Sequence, residues 1–380
     1  MDIILSTDAI RQPLTGIGRY TSQLAWQLTQ RRDIGEIWFS HGEKLLRHIP
    51  EPRRQPTAVA WLRNGFCKYG PLLDAYRKIH SFGKASSIRH LNNAVYHGTN
   101  YYLPKFAGRS VVTIHDISIF TLPDCHREDR VKFLRKETAL ALRRAAAVIT
   151  VSEFSKREIM AQFNWPAERI YVTPLASAGI FYPRPDTELT PLLKPSRLLP
   201  GGYCLYVGTV EPRKNLGVLL DAYERLPPYL RGLFPLVLAG HSGWNNRALL
   251  DRIRRAAREG WLRYPGFVPD SLLPALFAGA RLFVFPSFYE GFGLPVLEAM
   301  SSGVPVICAD TASLPEVAGN AAAMFAPQDT ERLASLIAMG LENREWRAAA
   351  RENGLRQAAR FSWEACAELT LRAYAAASRL

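Results

Sequence analysis

Phe283-Val-Phe-Pro-Ser-Phe-Tyr-Glu290-Gly-Phe-Gly-Leu-Pro295-Val-Leu-Glu298-Ala-Met-Ser-Ser-Gly303-Val-Pro-Val-Ile307 holds a strand, a turn, a helix and a second strand in one short run. Its opening apolar residues are too few for a helix and lack the alternation of a half-exposed strand, so they read as a strand buried on both faces. Pro295 fits the first turn of a helix, where a missing N–H costs no hydrogen bond. Gly303 fits the left-handed residue that closes one. A second continuous apolar strand follows, so the unit is strand–helix–strand with a crossover, the signature of a parallel sheet covered by helices.

The same rhythm extends in both directions. Residues 3–6, 94–97, 111–114 and 148–151 read as buried strands, with a helical pattern between 132 and 147. Strands recur at 203–207, 236–239, 282–285 and 304–307. Between the two sets, residues 179–202 contain Pro183, Pro185, Pro191, Pro195 and Pro200 and end in Gly201-Gly202. Such a segment reads as a linker, because proline removes donors and glycine weakens regular structure. The expected fold class is therefore α/β with two Rossmann-like doubly wound domains, 1–180 and 203–361, joined by 181–202. In such folds ligands bind at the carboxyl ends of the strands, and a cleft between the domains is expected.

Several side chains at those strand ends carry chemistry. Around the quoted helix start, the amides of Gly291, Phe292, Gly293 and Leu294 suit an anion, through orphan N–H groups and the helix dipole. Glu290 and Glu298 do not belong beside a phosphate. They suit hydroxyl groups on either side of one, such as those of a sugar and a ribose, but as two carboxylates alone they better fit an exposed loop and a solvated helix face. Upstream, Tyr203-Cys-Leu-Tyr-Val-Gly208-Thr209-Val-Glu-Pro-Arg213-Lys214-Asn215 ends a strand with two adjacent cations at a helix start. Positive charge is unfavourable there unless an anion is to be bound. Thr15-Gly16-Ile-Gly18-Arg19-Tyr20 is a glycine turn without the third glycine of a dinucleotide fingerprint, open to an anion or simply flexible. His115 and Asp116 close the strand Val111-Val-Thr-Ile, and Ser155 to Glu158 reads as a structural capping box.

The whole segment from Glu290 to Glu298 resembles the E-x7-E signature of retaining glycosyltransferases with the GT-B fold, and its surroundings resemble family 4. Ala309-Asp-Thr-Ala-Ser-Leu-Pro-Glu-Val-Ala-Gly319 and Phe325-Ala-Pro-Gln-Asp329 continue the resemblance. It implies a nucleotide-sugar donor and no cofactor or metal. Arg213 and Lys214 match the family's diphosphate-binding pair, and His115 matches a histidine beside the donor sugar. Thr209 stands where many members carry Arg. Gly16 and Gly18 match a loop near the donor phosphates, and Phe267 and Val268, in Gly266-Phe-Val-Pro-Asp270, a loop contacting the base. The resemblance further implies that a C-terminal helix over 362–380 packs back on the first domain. The series Thr15-Gly-Ile-Gly-Arg-Tyr20, His97-Gly-Thr-Asn-Tyr-Tyr-Leu-Pro104, Ile114-His-Asp-Ile-Ser118 and Glu211-Pro-Arg-Lys-Asn215 resembles bacterial mannosyl- and rhamnosyltransferases of lipopolysaccharide O-antigen. That similarity implies a GDP-linked donor, GDP-mannose or GDP-D-rhamnose, and a lipid-diphosphate-linked saccharide acceptor. Retention by front-face substitution is the expected mechanism. A nucleotide-sugar epimerase or hydrolase of the same fold is the alternative.

Composition bounds the rest. The chain has 380 residues and a net charge of +14, with 48 basic and 34 acidic side chains. Residues 1–180 hold 26 basic and 15 acidic groups, so most of the surplus lies in the first half, where 43–109 carries 12 against 3. A basic surface serves solubility, nucleic acid or an anionic membrane. No RNP, helix-turn-helix or zinc-finger pattern accompanies it, which sets nucleic acid aside as a remote alternative. Attraction to anionic lipid through Arg53, Arg54, Arg63 and Lys68 is expected. Five scattered cysteines and the absence of a signal-like N-terminus or long apolar run suit a cytoplasmic protein, peripheral on the cytoplasmic face of the inner membrane.

Overall fold

A computed structural model describes residues 1–54, 82–244 and 246–380. The chain divides into two compact units. One comprises 1–117, 129–175 and 363–380; the other comprises 118–128 and 176–362.

The first unit is built on a seven-stranded sheet of β1 (Ile3–Ser6), β2 (Ile37–His41), β3 (Lys44–Leu46), β4 (Val95–Gly98), β5 (Ser110–Thr113), β6 (Ala147–Thr150) and β7 (Ile170–Val172), in the order β3-β2-β1-β4-β5-β6-β7. All neighbours are parallel except β2 and β3. The four residues of each of β1, β4, β5 and β6 are buried, the polar Ser6, His97, Ser110, Thr113 and Thr150 included, as in a parallel sheet covered on both faces. Helix α1 (Gly16–Thr29) starts at Thr15, whose side chain accepts from Gly18 N at 3.3 Å. Helices α2 (Glu128–Arg144) and α3 (Glu153–Phe163) follow. The cap of α3 is Ser152, accepting from Ser155 N at 3.0 Å, so the expected cap at Ser155 is displaced by one turn.

The second unit carries β8 (Cys204–Val207), β9 (Leu236–Ala239), β10 (Leu262–Gly266), β11 (Leu282–Phe285), β12 (Val306–Ala309) and β13 (Ala322–Phe325), all parallel, in the order β10-β9-β8-β11-β12-β13. The segment 181–202, expected as a linker, folds into this unit. Its helix α4 (Asp186–Leu193) contains Pro191. An interior proline costs about 3 kcal/mol, but burial of Leu189 and Leu193 contributes roughly 1.5–3 kcal/mol each. Residues 118–128 also belong here rather than to 1–180; Trp244 Nε1 donates to Cys125 O at 2.8 Å and holds them.

Helix α5 (Leu216–Glu224) follows the β8 loop and α6 (Leu294–Ser301) follows the β11 loop. The last helix, α7 (Trp363–Ser378), lies with the first unit, against α1 and the strands β4 to β7. Its buried Trp363, Cys366, Thr370 and Tyr374 form that contact face. Among the described residues no helix is long and apolar enough to cross a membrane.

Candidate active site

In the second sheet the strand order reverses between β8 and β11. Loops leaving the carboxyl ends of two such strands diverge and open a crevice. The β8 loop brings Arg213 and Lys214 in a single 3-10 turn, Pro212–Lys214, and the β11 loop brings Glu290. Backbone bonds fix the two loops to each other. Phe288 N donates to Arg213 O at 3.1 Å, and Ser287 Oγ lies the same distance from that oxygen. Asn215 Nδ2 donates to Pro286 O at 3.2 Å and Pro327 O at 2.8 Å.

The charged groups then meet. Arg213 Nη1 donates to Glu290 Oε2 at 3.1 Å and to Tyr289 O at 2.9 Å, while its Nε pairs with Glu211 Oε1 at 2.7 Å. Lys214 Nζ donates to Glu290 Oε1, which also accepts from Ser287 Oγ at 2.6 Å. Burial alone would raise the Glu290 pKa, but Lys214, Arg213 and the Ser287 hydroxyl outweigh it and bring it down to about 2. Burial, with the like charge of Arg213, lowers the Lys214 pKa against the pull of Glu290 and Glu211. Two cations are thus held rigidly in a desolvated place, where their interaction with an added anion is stronger than in water.

Beside this cluster stands the start of α6. Gly293 is its N-cap at φ +104°, a conformation that L side chains rarely adopt. Ser313 Oγ lies 2.8 Å from Glu290 O and 2.9 Å from Phe292 O and shares its one proton between them, pinning the turn. Among the described residues the N–H groups of Phe292, Gly293 and Leu294 find no hydrogen-bond acceptor, as expected of a helix N-terminus. At the other end, Val304 N donates to Ala299 O and Gly303 N to Met300 O, both at 3.0 Å, with Gly303 at φ +72°. These two bonds are a Schellman closure, the role expected of Gly303. Glu298, inside α6, is only 3% exposed, which removes the solvated-face alternative.

Of the remaining residues singled out in this unit, Thr209 is half-buried in the β8 loop, where its carbonyl accepts from the Tyr206 hydroxyl at 3.4 Å. Phe267 and Val268 lie apart from the charged cluster, after β10 and two strands from β8, or about 10 Å at the usual spacing. Phe267 is 46% exposed and stacks on His241 with ring centroids 4.8 Å apart. With Arg263 and Leu272 these two residues line a cleft of about 500 Å³.

In the first unit, His115 stands just past β5 and is buried. Its Nε2 lies 2.9 Å from Thr99 O. A carbonyl only accepts, so Nε2 carries the proton and neutral His115 keeps its lone pair on Nδ1. Burial lowers its pKa, against smaller opposing effects of Thr99 O and Asp116. Gly16 and Gly18 form the first turn of α1 rather than a free loop. Gly16 is open, whereas a Cβ on Gly18 would stand 2.7 Å from Ala9 O. Gly18 therefore serves close packing of α1 on the loop after β1.

Glu211, Ser287, Asn215 and Ser313 complete the second-unit cluster and were not singled out from the sequence. Glu211 and Asn215 flank the Arg-Lys pair, a local signal that was present. The pairing of Ser287 and Ser313 with the turn is tertiary and leaves no such mark.

Residues 199–357 match the family described as "Glycosyl transferases group 1", and residues 14–176 match "Glycosyltransferase Family 4". The chain is 45% identical over 378 residues to "O-antigen chain mannosyltransferase B" of Escherichia coli, covering 98% of this chain and 99% of that one. Among solved structures, Anabaena HepE in complex with UDP-glucose superimposes with a TM-score of 0.71 at 19% identity, covering 100% of both chains. WaaG, a glycosyltransferase involved in lipopolysaccharide biosynthesis, gives a TM-score of 0.66 at 15% identity, covering 98% of this chain and 99% of that one. Two doubly wound units, a charged cluster at the second switch point and an end-to-end relative together show that the chain belongs to the family 4 (group 1) glycosyltransferases of GT-B fold.

Proposed function

We propose that this glycosyltransferase moves mannose from GDP-mannose onto a lipid-diphosphate-linked saccharide in O-antigen synthesis, with retention of configuration and without a metal. The observation that carries the reading is the buried Arg213–Lys214–Glu290 cluster at the β8/β11 switch point. The mannosyltransferase relative of E. coli supports mannose over D-rhamnose, and its full-length match supports a shared reaction.

In this reading the bond from the anomeric carbon to the diphosphate oxygen breaks, and the acceptor oxygen bonds to the same face. The acceptor's proton passes to the departing phosphate oxygen, giving nucleoside diphosphate and the extended saccharide. Arg213, Lys214 and the amides of Phe292, Gly293 and Leu294 meet the charge that develops on the diphosphate. Glu290 orients both cations and accepts from a hydroxyl of the sugar; Glu298 accepts from the ribose. His115, neutral and bare at Nδ1, accepts from another sugar hydroxyl. Phe267 and Val268 contact the base, and Thr209 and the start of α1 at Gly16 lie near the phosphates. The basic first half draws the protein to anionic lipid. Arg63 and Lys68, expected in that contact, lie outside the described residues.

A screen of GDP-, UDP- and dTDP-sugars, with and without a lipid-linked acceptor, tests the reading through nucleoside diphosphate release. Release from GDP-mannose that depends on acceptor is expected. Equal release with donor alone points to the hydrolase or epimerase, and a preference for UDP- or dTDP-sugars contradicts the donor assignment.

A further inference from the structure

Four fully buried polar side chains from four elements of the first unit form one continuous chain. Tyr374 OH, on α7, lies 2.6 Å from His97 Nδ1 on β4. His97 Nε2 lies 2.7 Å from Thr113 Oγ1 on β5, and that oxygen lies 2.9 Å from Tyr20 OH on α1. None of the four is exposed to solvent. A buried polar group without a partner costs about 1–3 kcal/mol, whereas a satisfied network specifies one arrangement.

The protonation pattern couples the members of the chain. Burial, and to a smaller extent the neighbouring His115, lowers the His97 pKa to about 3, so the imidazole is neutral with one donor and one acceptor nitrogen. If Tyr374 donates to Nδ1, then Nε2 donates to Thr113 and the Thr113 hydroxyl to Tyr20. If Nδ1 donates to Tyr374, every bond reverses. In either case the four groups change together.

The chain ends on His115. The Tyr20 ring meets the His115 imidazole edge-on, with centroids 4.9 Å apart and planes at 85°. The opposite constraint on that imidazole is its bond to Thr99 O at 2.9 Å, and Thr99 Oγ1 is in turn bonded to Ser6 O at 2.9 Å. Tyr20 also lies 6.5 Å from the Trp363 ring, so α7 reaches it from two ends.

We propose that Tyr374, His97, Thr113 and Tyr20 are positioning residues that transmit the seating of the C-terminal helix to the His115 imidazole. The proposal rests on the reading of His115 as a contact to the donor sugar. Holding a ring within a fraction of an ångström is where such contacts gain their value, because a looser group binds the transition state less well than the ground state permits.

Tyr374→Phe removes one hydroxyl and little volume. Its kcat is expected to fall about tenfold with donor KM changed less than twofold, and Tyr20→Phe is expected to behave alike. In a His115→Ala background the Tyr374→Phe effect on kcat is expected to vanish, because the group it positions is gone. His97→Gln, which keeps a donor and an acceptor, is expected to restore part of the rate lost in His97→Leu. Far-UV circular dichroism and thermal melting confirm that each variant is folded. A wild-type kcat in both Tyr→Phe variants overturns the relay, as does a Tyr374→Phe loss of the same size without His115. A wild-type kcat in His115→Ala alone overturns the underlying reading of His115 and is recognised from that single variant.

Discussion

Arg213 and Glu290, 77 positions apart in sequence, meet at 3.1 Å between Nη1 and Oε2, and Lys214 reaches the other oxygen of the same carboxylate. One buried anion therefore organises two adjacent cations. Removing it leaves both cations without their shared counter-ion. Glu290→Gln is expected to destabilise the protein by about 3–5 kcal/mol, the usual consequence of breaking a buried pair from one side. Urea unfolding at pH 7 measures it; a loss below 1 kcal/mol contradicts the cluster as described.

The same carboxylate sets an acid limit. Its folded pKa of about 2 lies below the ordinary 4.5, so its contribution is fully present above 4.5 and is lost as pH falls toward 2. The stability gap between wild type and Glu290→Gln is expected to be constant from pH 7 to 5 and to narrow below 4.5. Urea midpoints at stepped pH give the result, and a gap that widens on acidification reverses the sign argued here.

His97 gives a second, separable acid effect. Its folded pKa of about 3 lies below the ordinary 6.5. Between those values the unfolded chain binds a proton that the folded protein refuses, so stability falls as pH drops from 6.5, by about 1.4 kcal/mol per unit. His97→Gln is expected to flatten the slope between pH 6.5 and 5. An unchanged slope means that His97 is protonated in the folded state.

Much of this was legible in the sequence, for physical reasons. Continuous apolar runs such as 236–239 and 282–285 have no other stable use than a covered parallel strand, and they stand where expected. Glu290, Arg213 and Lys214 were marked by loops at strand ends. What was missed depends on partners distant in sequence. The prolines of 181–202 hid α4, whose stability comes from burying Leu189 and Leu193. The membership of 118–128 in the second unit depends on tertiary contacts such as that of Trp244 with Cys125, which leave no local mark. Gly18 read as a turn open to an anion or simply flexible, and its second use, letting Ala9 O stand where a Cβ would be, is likewise tertiary.

That last point is itself testable. Gly18→Ala sets a Cβ 2.7 Å from a backbone oxygen that no rotamer change can move. A loss of about 1–3 kcal/mol is expected, the cost of overpacking, seen as a lowered melting temperature. Gly16→Ala, with nothing within 4 Å of its Cβ, is expected to leave the melting temperature within a degree or to raise it. Equal effects of the two substitutions contradict the packing role.

The account's central claim is that Arg213 and Lys214 stabilise a departing nucleoside diphosphate. Its most direct measurement is transfer of labelled mannose from GDP-mannose to a lipid-linked saccharide by wild type, Arg213→Ala and Lys214→Ala, all shown to be folded, at saturating donor and acceptor. Acceptor-dependent transfer by wild type, and kcat lowered at least a hundredfold in each variant, is the expected result. Wild-type rates in either variant contradict it.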